Sequence, residues 1–336
     1  MATIGDVARV AGVSTSTVSY VLSGKRPISG STRERVERAI RDLGYRPHAG
    51  ARALASARTN VLGLMAPLRA DVNVSVIMQF VTGVVTAARN HDRDVLLLTS
   101  DEVAGTERVA NGSMVDALIM MDVESDDARI DVLVGLRQPA VLIGLPQDPQ
   151  GLSCVDLDFD AAGRLAVRHL TALGHRRVAL IGSPQLVLDR HTSYAIRLRH
   201  GFAEQADAAG LTHLSVPCSS TPAGAADAVD AVLEAMPDVT ALVVHNEVAL
   251  PWVLTTLAER GRRVPQEISV VAVCPRDVAL GQRLPLTSID IPGYAIGQVA
   301  VEMAMARLAE PGTDRPAETR LLTPTLEARE STTAPT

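Results

Sequence analysis

Aromatic residues are scarce in this chain of 336 residues: one Trp, four Tyr and three Phe make up 2%, against 47% hydrophobic residues overall. A core must therefore be assembled from Val, Leu, Ala and Ile, which is ample for an α/β body. Only three cysteines occur, Cys154, Cys218 and Cys274, far apart and without Cys-x-x-Cys spacing. That pattern argues for buried reduced thiols and against a disulfide framework or a metal site. No apolar run approaches membrane-spanning length, and the start lacks the charged, apolar and small-residue regions of an export signal. The expectation is a cytoplasmic protein with no membrane partner. Also missing are a G-x-G-x-x-G after a strand, a G-x-x-x-x-G-K-[ST] and an H-E-x-x-H. The eight histidines are dispersed. No catalytic residue, metal or cofactor is expected, and the chain does not read as an enzyme.

What is present begins at the amino terminus. Thr3 with Asp6 three residues on forms a capping-box-like helix start. Ile4, Val7, Ala8 and Ala11 then recur at helical spacing until Gly12, which allows a sharp turn. Ser14 caps a second segment in which Val18, Val21 and Leu22 point one way and Thr15, Ser16, Ser19 and Tyr20 the other. Two short helices about a glycine turn read as helix-turn-helix. In that motif the start of the second helix meets base edges, which nominates Thr15, Ser16 and Tyr20 for base readout. Hydroxyls suit phosphate oxygens, so Thr3, Ser14, Thr17, Ser19, Ser29 and Thr32, with Arg33, are nominated for the DNA backbone. The alternative is a merely solvated helix face. Charge weighs against it: residues 1–58 hold ten Lys/Arg and four Asp/Glu, a balance of +6, so the rest must carry −12 to reach the chain's −6. A basic head on an acidic body is the footprint of a module that docks on phosphates.

Ser29 caps a third helix through Val36, Ile40 and Leu43, stopped by Gly44. Residues 47–58 start at Pro47 as a short helical segment containing Gly50, too weak to fold alone in water.

Thr3-Ile-x-Asp-Val-Ala, Ala11-Gly-Val-Ser, Thr17-Val-Ser, Thr32-Arg-x-Arg-Val, Leu43-Gly-Tyr-Arg-Pro47 and Ala51-Arg-x-Leu54 together resemble the signature of the LacI/GalR family of bacterial transcription regulators. The resemblance implies a helix-turn-helix head over 1–46 and a hinge helix over 47–58 that orders on operator DNA. His48, Ala51, Arg52 and Leu54 would meet the minor groove, with Leu54 as an apolar wedge that kinks the duplex. His48 replaces the family's usual Asn.

From Thr59 onward, short apolar runs alternate with helical patterns: strands near 61–66, 95–98, 117–121, 140–143, 178–181, 215, 241–244, 268–273 and 287–290. Such alternation predicts an α/β body of two parallel-sheet lobes. The resemblance makes this a periplasmic-binding-protein-like core over 59–330, with the first lobe about 59–158 plus 291–325 and the second about 159–290. The tail from Ser331 reads as disordered. Strand ends converge on the interlobe cleft, the natural place for a small effector. Candidates there are Asp71, Asp122, Asp158, Tyr194, Arg197, Asn246 and Cys274, although each acid could equally be a loop carboxylate or helix cap. Two positions depart from the family: Leu198 stands at its common Arg, with Arg197 or Arg199 nearby, and Cys274 at its common Asp. A thiol cannot accept two hydroxyl hydrogen bonds as a carboxylate does.

The reading is a homodimeric repressor that binds a pseudo-palindromic operator and responds to a small effector, a sugar by resemblance. One alternative is the same regulator with a pocket diverged to a non-sugar ligand or none. Another is a solute-binding protein without regulatory work.

Overall fold

The computed structural model describes residues 2–23, 26–45, 58–66, 73–98, 103–111, 114–310 and 316–335. The hinge positions His48, Ala51, Arg52 and Leu54, and the cleft candidate Asp71, lie outside the described residues. In the head, α1 (Ile4–Ala11), α2 (Thr15–Ser23) and α3 (Gly30–Asp42) enclose a small core of Val7, Ala8, Ala11, Val18, Val21, Val36 and Ala39. Leu22, expected on the buried side of α2, is exposed.

Among the described residues the body holds two six-stranded sheets. The first runs β11-β5-β4-β3-β1-β2, from β1 (Val61–Met65), β2 (Asp94–Leu98), β3 (Ala117–Met120), β4 (Ala140–Ile143), β5 (Ser153–Leu157) and β11 (Thr319–Leu322), all parallel. The second runs β12-β10-β9-β8-β6-β7, from β6 (Arg177–Ile181), β7 (Thr212–Val216), β8 (Ala241–Val244), β9 (Ser269–Val273), β10 (Thr287–Ile289) and β12 (Leu326–Glu327), with β12 the antiparallel exception. Both sheets are covered on two faces, as uninterrupted apolar strands require. Along β3, Ala117 and Ile119 join a cluster continuous across both lobes, while Leu118 and Met120 face a second cluster on the other side.

Three segments carry the chain between lobes: after β5, after β10 and between β11 and β12. Sequence patterning missed β5, β11 and β12. β5 carries Ser153 and Asp156 within its apolar run, and the other two are short edge strands, so none shows an uninterrupted hydrophobic signal. Each lobe is also fastened by a helix pair that meets at glycines. In the first, a methyl on Gly83 would overlap the Tyr294 carbonyl, and one on Gly297 the Phe80 carbonyl. In the second, Gly163 and Gly201 face the backbone of Leu198 and Asp160 in the same way.

The tail corrects one expectation. Ser331 is fully buried, its hydroxyl donating to the Val270 carbonyl at 2.6 Å and accepting from the Thr287 amide at 2.8 Å. The Thr333 carbonyl lies 3.0 Å from Nε2 of His175, whose Nδ1 lies 2.9 Å from the Thr240 hydroxyl. Small polar side chains here satisfy the exposed backbone of a sheet instead of remaining in water. Among the described residues no helix is long and apolar enough to cross a membrane, and all three cysteines are buried and free.

Candidate functional site

The head is built by caps. The Thr3 hydroxyl accepts from the Asp6 amide at 3.3 Å, and the Asp6 carboxylate accepts from the Thr3 amide at 3.0 Å, a complete capping box. That backbone bond, the Thr3 hydroxyl and Arg9 together hold the Asp6 carboxyl down to about 2. Gly12 closes α1 in the left-handed region at φ 65°. Ser14 Oγ accepts from the Thr17 amide at 3.1 Å, and Ser29 Oγ from the Thr32 amide at 3.4 Å. Hence Thr3, Ser14 and Ser29 fix helix starts, and Thr17 and Thr32 exchange side-chain bonds with their caps. Beyond these caps the exposed start of α2 presents Thr15 and Ser16, with Ser19 and Tyr20 half-buried one turn on. The Arg26 guanidinium stands 5.2 Å from the Tyr20 ring centroid, adding positive charge to that face. Arg33 is exposed on α3.

The second site is an interlobe cavity of about 120 Å³. Its first-lobe wall is formed by Asn73, Val76, Ile77 and Phe80, by Met121 and Asp122 past β3, by Ile143 and Gly144, and by Asp156 of β5. The second lobe supplies Phe159, Ser183, Pro184, Tyr194, Ser220 and the run His245 to Val248 that follows β8. Phe159, Tyr194 and His245 make a mutually packed triangle, with centroids 5.6–5.7 Å apart.

Bonds cross between the lobes around this space. Arg190 pairs with Asp122 at 3.0 Å, the Ser193 amide donates to the Val123 carbonyl at 2.9 Å, and the Gln79 amide donates to the Asp277 carboxylate at 3.1 Å. Deeper, Arg197 forms an ion pair with Asp156 and donates to the Leu157 carbonyl at 3.3 Å. Burial pushes the Asp156 carboxyl up to about 6 even with Arg197 beside it. Glu247 is likewise raised by burial to about 7, and buried His245 lowered to about 4, so the imidazole is neutral at pH 7.

Of the cleft candidates, Asp122, Tyr194 and Asn246 reach the cavity wall. Asn246 is largely engaged within its own lobe: its amide donates to the Cys218 carbonyl at 2.7 Å, and its oxygen accepts from the Ala249 amide at 3.1 Å and from the Ser220 hydroxyl at 3.2 Å. Asp158, Arg197 and Cys274 are not among the lining residues. Asp158 caps the helix Phe159–Ala172 by accepting from the Ala161 amide at 3.0 Å, the cap role left open for it by the sequence. Arg197 turns toward Asp156 behind the wall. Cys274 is 1% exposed within the apolar cluster on the far face of the second sheet, and burial raises its thiol strongly. Leu198 is also core, packed beneath the helix that carries Gly163.

Sequence reasoning missed Asp156, His245, Glu247 and Phe159. Asp156 did leave a signal, a lone carboxylate inside an apolar run, and Glu247 adjoins the amide that was chosen. Elsewhere, Asp160, His200 and Glu204 approach one another on the second lobe with metal-like spacing. Arg164 already bridges Asp160 and Glu204, and a guanidinium there leaves no call for a metal cation.

Comparison with known proteins agrees with this geometry. Residues 3–48 match the family description "Bacterial regulatory proteins, lacI family", and residues 167–332 a periplasmic binding protein-like domain. The HTH-type transcriptional regulator CelR of Thermobifida fusca is 30% identical over 322 residues, covering 91% of this chain and 92% of the relative. A solved CelR–cellobiose complex aligns with a TM-score of 0.69 at 28% identity, covering 98% of this chain and 100% of that one. The lac repressor dimer bound to operator and the anti-inducer ONPF aligns with a TM-score of 0.81 at 24% identity over 99% of each chain, a likeness of fold. With a basic three-helix reader at its amino end and a two-lobed binding body behind it, the chain belongs to the LacI family of DNA-binding bacterial transcriptional regulators.

Proposed function

We propose that the protein is a homodimeric repressor whose paired heads bind a pseudo-palindromic operator and whose interlobe cavity takes a small carbohydrate-like effector. The observation that carries the proposal is the cavity itself: it lies where both lobes contribute walls, and interlobe bonds such as Arg190 to Asp122 surround it. A ligand there changes the balance between lobe arrangements by its differential affinity for them, commonly about 1–3 kcal/mol. In the head, Thr15, Ser16 and Tyr20 read bases. Thr3, Ser14, Thr17, Ser19, Ser29, Thr32 and Arg33 face the backbone, partly through the helix starts they cap. His48, Ala51, Arg52 and Leu54 take the minor groove at the operator centre. The CelR–cellobiose complex supports a sugar-sized occupant.

A second reading, a pocket diverged from the usual sugars, is favoured by Leu198 and Cys274 lying in apolar cores. Selection of the full-length protein on a randomised duplex pool, followed by gel shifts with carbohydrates, tests the proposal. A palindromic consensus released by one sugar is the expected result. A monomeric footprint, or no change with any carbohydrate, defeats the dimer or the effector half respectively.

A further inference from the structure

We infer that the cavity selects a carbohydrate-sized ligand bearing a protonated amine, with Glu247 as the selecting group. This rests on the cavity being the effector site and adds the charge of the effector.

Among the described lining residues are three carboxylates, Asp122, Asp156 and Glu247, and no Lys or Arg. Two of the three are countered from behind the wall, Asp122 by Arg190 and Asp156 by Arg197. Glu247 is not: among the described residues it has no cationic partner, and its carboxylate accepts a hydrogen bond from its own backbone amide. Burial leaves this group divided between acid and carboxylate at neutral pH, and a cation beside it in the half-open, largely apolar space would draw it to the carboxylate form.

A second observation is independent of the acids. His245 is 5% exposed and lines the cavity, and its ring nitrogens have no hydrogen-bond partner among the described residues. Neutral imidazole offers one donor and one acceptor, fitting a hydroxyl or amine of an occupant. Its packing with Phe159 and Tyr194 lines the same cavity as Glu247 with aromatic surface, and aromatic faces attract cations as well as sugar C–H edges. An anionic ligand would find no Lys or Arg among the described lining residues to meet it. A neutral sugar would leave Glu247 free to stay protonated and would gain no ion pair from it. An ammonium group in place of one hydroxyl answers the charge while keeping the rest of the skeleton.

The test is calorimetric titration of the full-length protein with three disaccharides of one skeleton: cellobiose, its counterpart with free 2-amino groups, and the neutral N-acetylated form of that counterpart. The diamine is expected to bind at least tenfold more tightly than either neutral sugar. Glu247→Gln should erase that ratio, and Glu247→Asp should retain part of it. Melting of each variant without ligand verifies its fold. Equal or tighter binding of cellobiose, or an unchanged ratio in Glu247→Gln, overturns the inference while leaving the cavity as effector site. No heat from any of the three at millimolar concentration removes the effector reading, and this inference with it.

Discussion

The head and the cleft use polar side chains in opposite ways. Head hydroxyls find partners three residues away: Thr3 with Asp6, Ser14 with Thr17, Ser29 with Thr32. Cleft groups find theirs across long separations: Asp156 with Arg197, Asp122 with Arg190, Gln79 with Asp277. A local arrangement survives isolation from the rest of the chain. A distant one exists only once both lobes are assembled, so it can report on their relative position.

That contrast is broken most severely at the buried interlobe pair. Arg197→Met should destabilise the body by about 3–5 kcal/mol, because Asp156 would remain buried without its partner. The body's denaturant transition should shift while the head, followed separately by nuclear magnetic resonance, keeps its spectrum. A head that unfolded along with it would erase the distinction. Next is Gly201→Ala, where a methyl overlaps the Asp160 carbonyl. A loss of about 1–3 kcal/mol is expected, again confined to the body and measurable as a lowered thermal midpoint.

On the other side, Tyr20→Ala should relax operator preference by about 1–3 kcal/mol in competition binding. An unchanged consensus would remove Tyr20 from the reading face. Thr3→Ala should cost the head about 1 kcal/mol through the lost cap and leave the body's midpoint in place. The same box sets a pH dependence: Asp6 titrates lower in the folded head than in the unfolded chain. Its contribution is therefore fully present above the ordinary carboxylate value of 3.8 and is lost as pH falls toward about 2. Thr3→Ala should flatten that acid limb. Smallest is Arg33→Ala, which should lower affinity for all duplexes alike and reduce the salt slope by about one.

The contrast also accounts for what the residues disclosed in advance. Caps and the Gly12 turn are encoded within a few positions, and Val7, Val18 and Val36 each follow from the spacing within their own short helix, so the head was legible nearly residue by residue. Uninterrupted apolar strands such as Ala117–Met120 were equally plain. The cavity was legible only as a place. Which acids line it depends on where strand ends fall in two sheets, so Asp158 went to a helix cap while Asp156, two residues earlier, went to the wall. Cys274 follows β9 as the alignment of motifs implied, yet points into the core, which no local pattern encodes.

The threefold passage of the backbone between the lobes has a consequence for biogenesis. Neither sheet is contiguous, and the edge of the first, β11, is translated after ten other strands. During synthesis the three-helix head can fold on emerging from the ribosome, whereas the two-lobed body stays unfinished until β11 and β12 have been translated. A ribosome-stalled nascent chain ending near residue 310 should thus carry a folded head in front of an unfinished body.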